Sequence, residues 1–269
     1  MFLTPKIIGI LNVTPDSFSD GGLFVDGKHA VARALQMEKE GAHIIDIGGE
    51  SSRPGAQPVS VEEELGRVIP VIRELRRRSP IAISVDTQKS IVAARAIEVG
   101  ATMINDITAG LGDPKMFFVA AKFGVSICLM HMKGTPQTMQ ASPHYDDVVG
   151  EVKQFLASRI AAALQVGIAK EKIIIDPGLG FGKRLEDNIA LLKNCDHFLE
   201  LGCPVLIGAS RKSFIGQITG APVEERLPGS LAAAAIALQK GASIFRVHDV
   251  AATKQFLTTT LVPHGSVFR

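Results

Sequence analysis

Eight times along this chain a short, β-branched apolar run gives way to a polar or glycine-rich turn and then to a stretch with helical periodicity. The runs occupy residues 7–13, 43–48, 81–87, 103–107, 126–131, 172–177, 204–209 and 244–249. The helical stretches are 28–40, 62–78, 88–99, 114–123, 148–166, 188–194, 224–240 and 251–261. They stop at chemically sensible places, with Gly41, Gly100, Gly124, Gly167 and Gly241 after five of them and Pro80 close behind a sixth. Buried strands alternating with helices belong in a parallel sheet covered on its faces. Eight such units predict an α/β chain folded as one (β/α)8 TIM barrel over residues 1–269, since no linker-like tract divides it. A doubly wound open sheet shares the alternation, and only closure of the strands separates the two.

Composition narrows the function. Of 269 residues, 46% are hydrophobic and 21% charged, an ordinary globular balance. The formal charge of +2, from 29 basic and 27 acidic residues, argues against a nucleic-acid binder that works through a general field. Trp is absent and Tyr occurs once against 13 Phe, so the core is aliphatic. Cys128, Cys195 and Cys203 show no zinc-site spacing and read as reduced thiols of a cytoplasmic protein. The N-terminal stretch, residues 1–11, has its apolar run broken by Pro5 and Lys6 and lacks a cleavage-site pattern, so it reads as the first strand rather than a signal peptide. The longest apolar stretch, 231–238, is far below the roughly 20 residues that span a bilayer, and no membrane partner is expected.

In such a barrel the chemistry collects at the carboxyl ends of the strands, and polar residues recur there. Asn12 closes the first run, Asp46 and Glu50 accompany the second, and Asp86 ends the third. Asn105 and Asp106 interrupt the fourth, His131 ends the fifth, Asp176 ends the sixth, and Arg246 and His248 lie in the eighth. One buried carboxylate can be a structural cap. So many buried polar groups would each cost energy unless paired, and a shared ligand site accounts for them together.

Arg246 and His248 are two apart and face the same side of a strand, a pairing suited to phosphate or pyrophosphate. Glycines 178, 180 and 182 follow Asp176 and permit tight turns around a ligand. Their GxGxG spacing is not that of a dinucleotide fold, which disfavours a nicotinamide site. Residues 210–213, SRKS, open a short helical turn to Gln217 whose free N–H groups, with Lys212 and Ser213, favour a carboxylate or phosphate. Arg211 in the same turn also reads as a solvated basic residue. Two long polar loops, 12–22 with Phe18 and 50–55 with Arg53, are lid candidates.

Taken in order, LNVTPDSFSDGG (11–22), GGESSRPG (48–55), SVDT (84–87), NDI (105–107), LMHMKG (129–134), DPGLGFGK (176–183), SRKSFIG (210–216) and RVHD (246–249) resemble the dihydropteroate synthase family, one motif per strand end. The resemblance implies that p-aminobenzoate displaces pyrophosphate from 6-hydroxymethyl-7,8-dihydropterin pyrophosphate. It implies that Asp86, Asn105 and Asp176 hydrogen-bond the pterin, that Lys212 donates to its acceptor side, that Arg246 lies over the ring, and that Ile107 and Met130 flank it. Asp86, Lys212 and Arg246 would be the catalytic residues. Pyrophosphate would be held by Asn12, Ser52, Arg53, Arg246 and His248, with Asn12 also the ligand of a Mg2+ ion. The p-aminobenzoate pocket would use Phe18, Arg53, Pro54, Phe181, Lys212 and Ser213. The family is usually dimeric, so a homodimer is implied as well.

One residue departs from the pattern. The family usually has Thr where this chain has Ser52, so the hydroxyl survives and a methyl is lost near the aminobenzoate slot. Among rival readings, a corrinoid-dependent methyltransferase has no use for SRKS or the Arg53 loop, and a barrel aldolase lacks its strand lysine here. A catalytically silent pterin-binding paralogue remains, although it would be expected to have lost one of Asn12, Arg53, Lys212, Arg246 or His248.

Overall fold

The computed structural model describes residues 4–14 and 23–261, except for the side chains of residues 23–26. Its strands are β1 (Lys6–Asn12), β2 (Ile44–Gly48), β3 (Ala82–Asp86), β4 (Met103–Asp106), β5 (Ser126–Met130), β6 (Ile173–Asp176), β7 (Leu206–Ile207) and β8 (Ile244–Val247). The helices are α1 (Leu23–Lys39), α2 (Val61–Arg78), α3 (Ser90–Glu98), α4 (Met116–Phe123), α5 (Val148–Gln165), α6 (Leu185–Lys193), α7 (Ser213–Thr219), α8 (Leu227–Gln239) and α9 (Val250–Thr260). Every strand pairing is parallel, in the order β6-β5-β4-β3-β2-β1-β8-β7. Closure between β6 and β7 rests on one bridge, Ile175 with Val205, and on the Ile175 N–H donating to Pro204 at 3.0 Å. The sheet is therefore a barrel, and the open-sheet alternative falls.

Strand alternation sorts the side chains into two cores. Outward residues such as Ile45, Ile47, Ile83, Val85, Ile104, Leu129, Ile175 and Phe245 are buried under the helices. Inward residues Ile8, Met103, Cys128, Ile174, Leu206 and Ile244 plug the barrel as a separate cluster, with Ile44 against it. On four strands the next inward position is where the polar residues begin: Asp46 two after Ile44, Asn105 two after Met103, Asp176 two after Ile174, and Arg246 two after Ile244. The apolar plug is thus the floor of a polar chamber.

Helix boundaries differ from the periodicity reading where local chemistry intervenes. Before α8, residues 223–225 form a separate 3-10 turn, because Pro228 in the first turn of α8 restarts the helix. Helix α6 begins three residues earlier than the apolar spacing indicates, where Asp187 reaches back to the Arg184 N–H at 2.8 Å. Helix α3 begins at Ser90 rather than residue 88, since Thr87 Oγ1 takes the Lys89 N–H at 3.2 Å and Asp113 Oδ2 takes the Ser90 N–H at 2.8 Å. The small apolar face of α8 is spent internally, with Ser230, Ala233, Ala234 and Ala237 buried.

Candidate active site at the carboxyl ends of the strands

The centre of the chamber is Arg246. Its Nε donates to Asp46 Oδ2 and its Nη2 to Asp86 Oδ2, both at 2.6 Å. Asn105 Nδ2 donates to the same Asp46 oxygen at 3.2 Å. Two carboxylates and an amide thus lock the guanidinium plane. The Asp46 side chain is 1% exposed, and among the described residues its Oδ1 has no hydrogen-bond partner, nor does Ser84 Oγ, which sits beside it in register. Burial, helped by Asp46, Glu64 and Asp106, pushes the Asp86 carboxyl up to about 7 despite the neighbouring arginine. Asp46 and Asp86 in turn hold Arg246 firmly protonated against its burial.

On the opposite wall, Asp176 Oδ1 accepts the Gly178 N–H at 2.7 Å, and burial raises its carboxyl above the usual range. The Lys212 ammonium lies 4.0 Å from the centre of the Phe181 ring. Burial and the positive charge of Arg246 bring Lys212 down to about 8. Phe181, Ile107, Met130 and Met139 form a small buried apolar cluster at the mouth, apart from the main core.

The glycine-rich turn is held from below. A Cβ on Gly178, which has φ +71°, would come within 1.9 Å of the His131 carbonyl oxygen, so only glycine lets these two turns close on each other. Buried Lys183 donates to the carbonyls of Phe181 at 3.0 Å and His131 at 3.4 Å and meets His131 Nδ1 at 2.9 Å. Burial brings this lysine down to about 7 and the imidazole to about 3. This pin within DPGLGFGK has no role in the sequence reading.

His248 Nδ1 lies 3.0 Å from Ser210 Oγ, which accepts the His248 backbone N–H at 3.2 Å. The hydroxyl proton is then free to point at Nδ1, leaving Nε2–H as the donor to a ligand. Burial and Arg246 push the imidazole down to about 4, so it acts as a neutral dipole and not as a second cation. Arg211 is not a solvated basic turn. Its guanidinium grips both oxygens of Asp249, at 2.5 and 3.0 Å, and its backbone adopts φ 58°. That strain is held by the Arg211 N–H on Ser230 Oγ at 2.9 Å and aims the following Lys212 into the site.

Chemically, the chamber offers carboxylate and amide acceptors at its base, a fixed cation across it, and an ammonium and a neutral imidazole at its rim. It suits a flat heterocycle with several N–H groups that carries an anionic substituent. The model of the pterin binding enzyme family matches residues 8–248, a span that takes in all of these groups. The chain belongs to the pterin binding enzyme family.

Relatives within this family are similar over nearly their whole length. The dihydropteroate synthase of Escherichia coli (strain K12) is 53% identical over 249 residues, covering 93% of this chain and 88% of that protein. The dihydropteroate synthase of Haemophilus influenzae (strain ATCC 51907 / DSM 11121 / KW20 / Rd) is 51% identical over 253 residues, covering 94% and 92%. Among solved structures, Xanthomonas albilineans dihydropteroate synthase in complex with 7,8-dihydropteroate superposes with TM-score 0.86 at 47% identity, covering 97% of this chain and 95% of that one.

The fold of this pterin-binding enzyme joins Asp86 to Arg246 directly and Asn105 to Arg246 through Asp46, and it places Asp176, Lys212 and Phe181 on the facing wall. Asn12 Oδ1 and Asp86 Oδ2 both border the space above Gly48, at 3.8 and 3.7 Å from where a Cβ would stand. Ser52 lines a small cavity with Asp86 and Ile107. Arg53 and Pro54 are exposed, and Ser213 is exposed at the start of α7. Phe18, with most of the first lid loop, lies outside the described residues. Sequence reasoning placed Asp46 at a strand end without a role. Its inward position beside Ile44 and Gly48 was the signal available.

Proposed function

We propose that this chain is a dihydropteroate synthase, joining 6-hydroxymethyl-7,8-dihydropterin pyrophosphate to p-aminobenzoate with release of pyrophosphate. The observation that carries this reading is identity of about half the residues to dihydropteroate synthases over nearly the whole chain. The silent-paralogue reading is not favoured, since Asn12, Arg53, Lys212, Arg246 and His248 are all present.

The free acceptors of the chamber suit the pterin. Asp176 keeps Oδ2 for the amino-pyrimidine edge while Gly178 holds Oδ1, and two N–H groups on one carboxylate give strong charge-assisted bonds. Asn105 has its amide nitrogen committed to Asp46, so its carbonyl is the side offered to a ligand. Lys212 donates to the pterin carbonyl. Because Nε and one N–H of Nη2 of Arg246 are occupied, the guanidinium presents its face to the ring and its remaining N–H groups to phosphate. The pyrophosphate then leans on Ser52, Arg53 and the His248 Nε2–H.

The donor set fits Mg2+: the Asn12 side-chain oxygen, a hard ligand of the kind Mg2+ takes, stands at the end of β1 near Asp86 Oδ2 above Gly48. Asn12 would hold the ion together with phosphate oxygens, and it would neutralise charge on the departing pyrophosphate.

The carbon–oxygen bond breaks first and its electron pair leaves with pyrophosphate. The pterin cation so formed is faced by ionised Asp86. The p-aminobenzoate nitrogen then attacks the exocyclic carbon and sheds a proton, its carboxylate resting at Ser213 and its ring between Pro54 and Phe181, with Phe18 and Lys212 beside it. No protein nucleophile is needed, and all three cysteines are buried.

A homodimer is part of the proposal, with the exposed Ile236 of α8 and the exposed Leu199 as support. So is a cytoplasmic location, in keeping with three free thiols. Among the described residues no helix is long and apolar enough to cross a membrane.

The test is pyrophosphate release with Mg2+, with and without p-aminobenzoate, for wild type and Arg246→Ala. Dihydropteroate formation that collapses in the variant is expected. Tight pterin binding without turnover in the wild type would overturn the synthase reading in favour of a binding protein.

A further inference from the structure

The loop between β5 and α5, residues 131–147, has no part in the reaction as derived above. Its middle supports itself: Thr138 Oγ1 accepts the Thr135 N–H at 3.1 Å, and the Met139 N–H donates to the Thr135 carbonyl at 2.7 Å. From this turn, groups reach out in two directions. Toward the second lid loop, the Pro136 carbonyl accepts the Gly55 N–H at 3.0 Å, and Gln137 Nε2 donates to the Ala56 carbonyl at 2.8 Å. Toward the glycine-rich turn, Gln140 Nε2 donates to the Gly180 carbonyl at 2.9 Å. Between the two, Met139 is 3% exposed and joins the cluster of Ile107, Met130 and Phe181.

All three outward bonds end on main chain, and at telling places. Gly55 and Ala56 directly follow Arg53 and Pro54, while Gly180 directly precedes Phe181. A bond to the backbone fixes where the chain runs whatever the side chain there does. Pro54 and Phe181 are the two walls between which the p-aminobenzoate ring is placed.

We propose that this loop is a bridge setting the width of the p-aminobenzoate slot, with Gln137 and Gln140 as positioning residues that hold its opposite walls in register. The inference rests on the synthase reading. The pterin acceptors Asp86, Asn105 and Asp176 stand on strand ends that neither glutamine touches, so losing a glutamine loosens one wall of the second substrate's slot and leaves those acceptors in place, while Gln137 also steadies the loop that carries Ser52 and Arg53 to the pyrophosphate.

Gln137→Ala, Gln140→Ala and the double variant are tested by steady-state kinetics with each substrate varied, by calorimetric titration with 6-hydroxymethylpterin, and by thermal unfolding. Each single variant should raise KM for p-aminobenzoate about three- to tenfold, the loss of one hydrogen bond, and the double variant should exceed either. Affinity for 6-hydroxymethylpterin should stay within about twofold in every variant, KM for the pterin pyrophosphate within about twofold in Gln140→Ala, and Tm within about 2 °C. An unchanged KM for p-aminobenzoate in both single variants overturns the bridge. So does a parallel rise in both KM values in Gln140→Ala, or a fall in Tm that accounts for the lost activity, since either marks a merely structural loop. A wild-type protein that makes no dihydropteroate overturns the synthase reading instead.

Discussion

Replacing Asp46 by Asn isolates what the hidden carboxylate of this site does. In the free enzyme Asp46 Oδ2 takes Arg246 Nε at 2.6 Å and Asn105 Nδ2 at 3.2 Å, while Oδ1 has no hydrogen-bond partner among the described residues. An asparagine oxygen can keep these contacts only without charge, and a hydrogen bond to a charged group contributes about 1.5–3 kcal/mol. Against that loss, the variant sheds a buried charge with an unsatisfied oxygen, which is itself costly. The two effects offset in part, so unfolding in urea should show a loss of about 1–2 kcal/mol. Arg246 keeps Asp86 as its remaining anchor, and the plane of the guanidinium is no longer fixed at both ends. Misplacement of a site group by about 1 Å costs up to about a hundredfold, so kcat/KM for the pterin pyrophosphate should fall about 10- to 100-fold. A third consequence is diagnostic. The Asp46 charge is one cause of the raised Asp86 carboxyl, so its removal should move the acid limb of activity from about 7 to lower pH. The assay is kcat/KM measured from about pH 5 to 9 for wild type and variant. A variant with wild-type kcat/KM and an acid limb still near 7 would refute the network as drawn.

Other outcomes follow from the same geometry. Asp86 must be ionised to accept N–H bonds and Lys212 must be protonated to donate. Activity of the wild type should therefore rise as pH passes about 7 and fall as it passes about 8, a narrow bell in kcat/KM. His248, already neutral above about 4, should contribute no limb, and His248→Gln should leave the profile's shape unchanged while weakening pyrophosphate binding. Gly178→Ala must both hold a positive φ and displace the His131 carbonyl, so it should cost about 3 kcal/mol or more in urea unfolding. On the proposed roles, a chelator of Mg2+ should abolish pyrophosphate release while calorimetric binding of 6-hydroxymethylpterin persists, since the proposed pterin contacts are to protein side chains alone.

Much of the fold was legible because it is built from local periodicity. All eight apolar runs became strands, and Gly124 stands at the left-handed helix end where the sequence punctuates α4. The misplacements were local too. Pro228 restarts α8, and the Asp187 cap lengthens α6 beyond its apolar spacing. Within the site, the recurrence of polar residues at the strand ends marked Asp86, Asn105, Asp176 and Arg246 as parts of one site. What it did not reveal was how they pair. Arg211 illustrates the limit: nothing in SRKS says that its guanidinium turns to Asp249, 38 positions away, rather than to solvent.

The sequence by itself determined the alternation of strand and helix, the apolar floor of the chamber, and the set of polar groups above it. Those follow from each residue's neighbours at spacings of two to four. Only the tertiary structure decided that Arg246 is shared between Asp46, 200 positions away, and Asp86, 160 positions away. It also decided that Ser210 sets the face His248 presents, and that one loop bonds to both the 50–56 segment and the glycine-rich turn. These pairings depend on strand register and on the single bridge that closes the barrel, and burial then sets the charge each group carries.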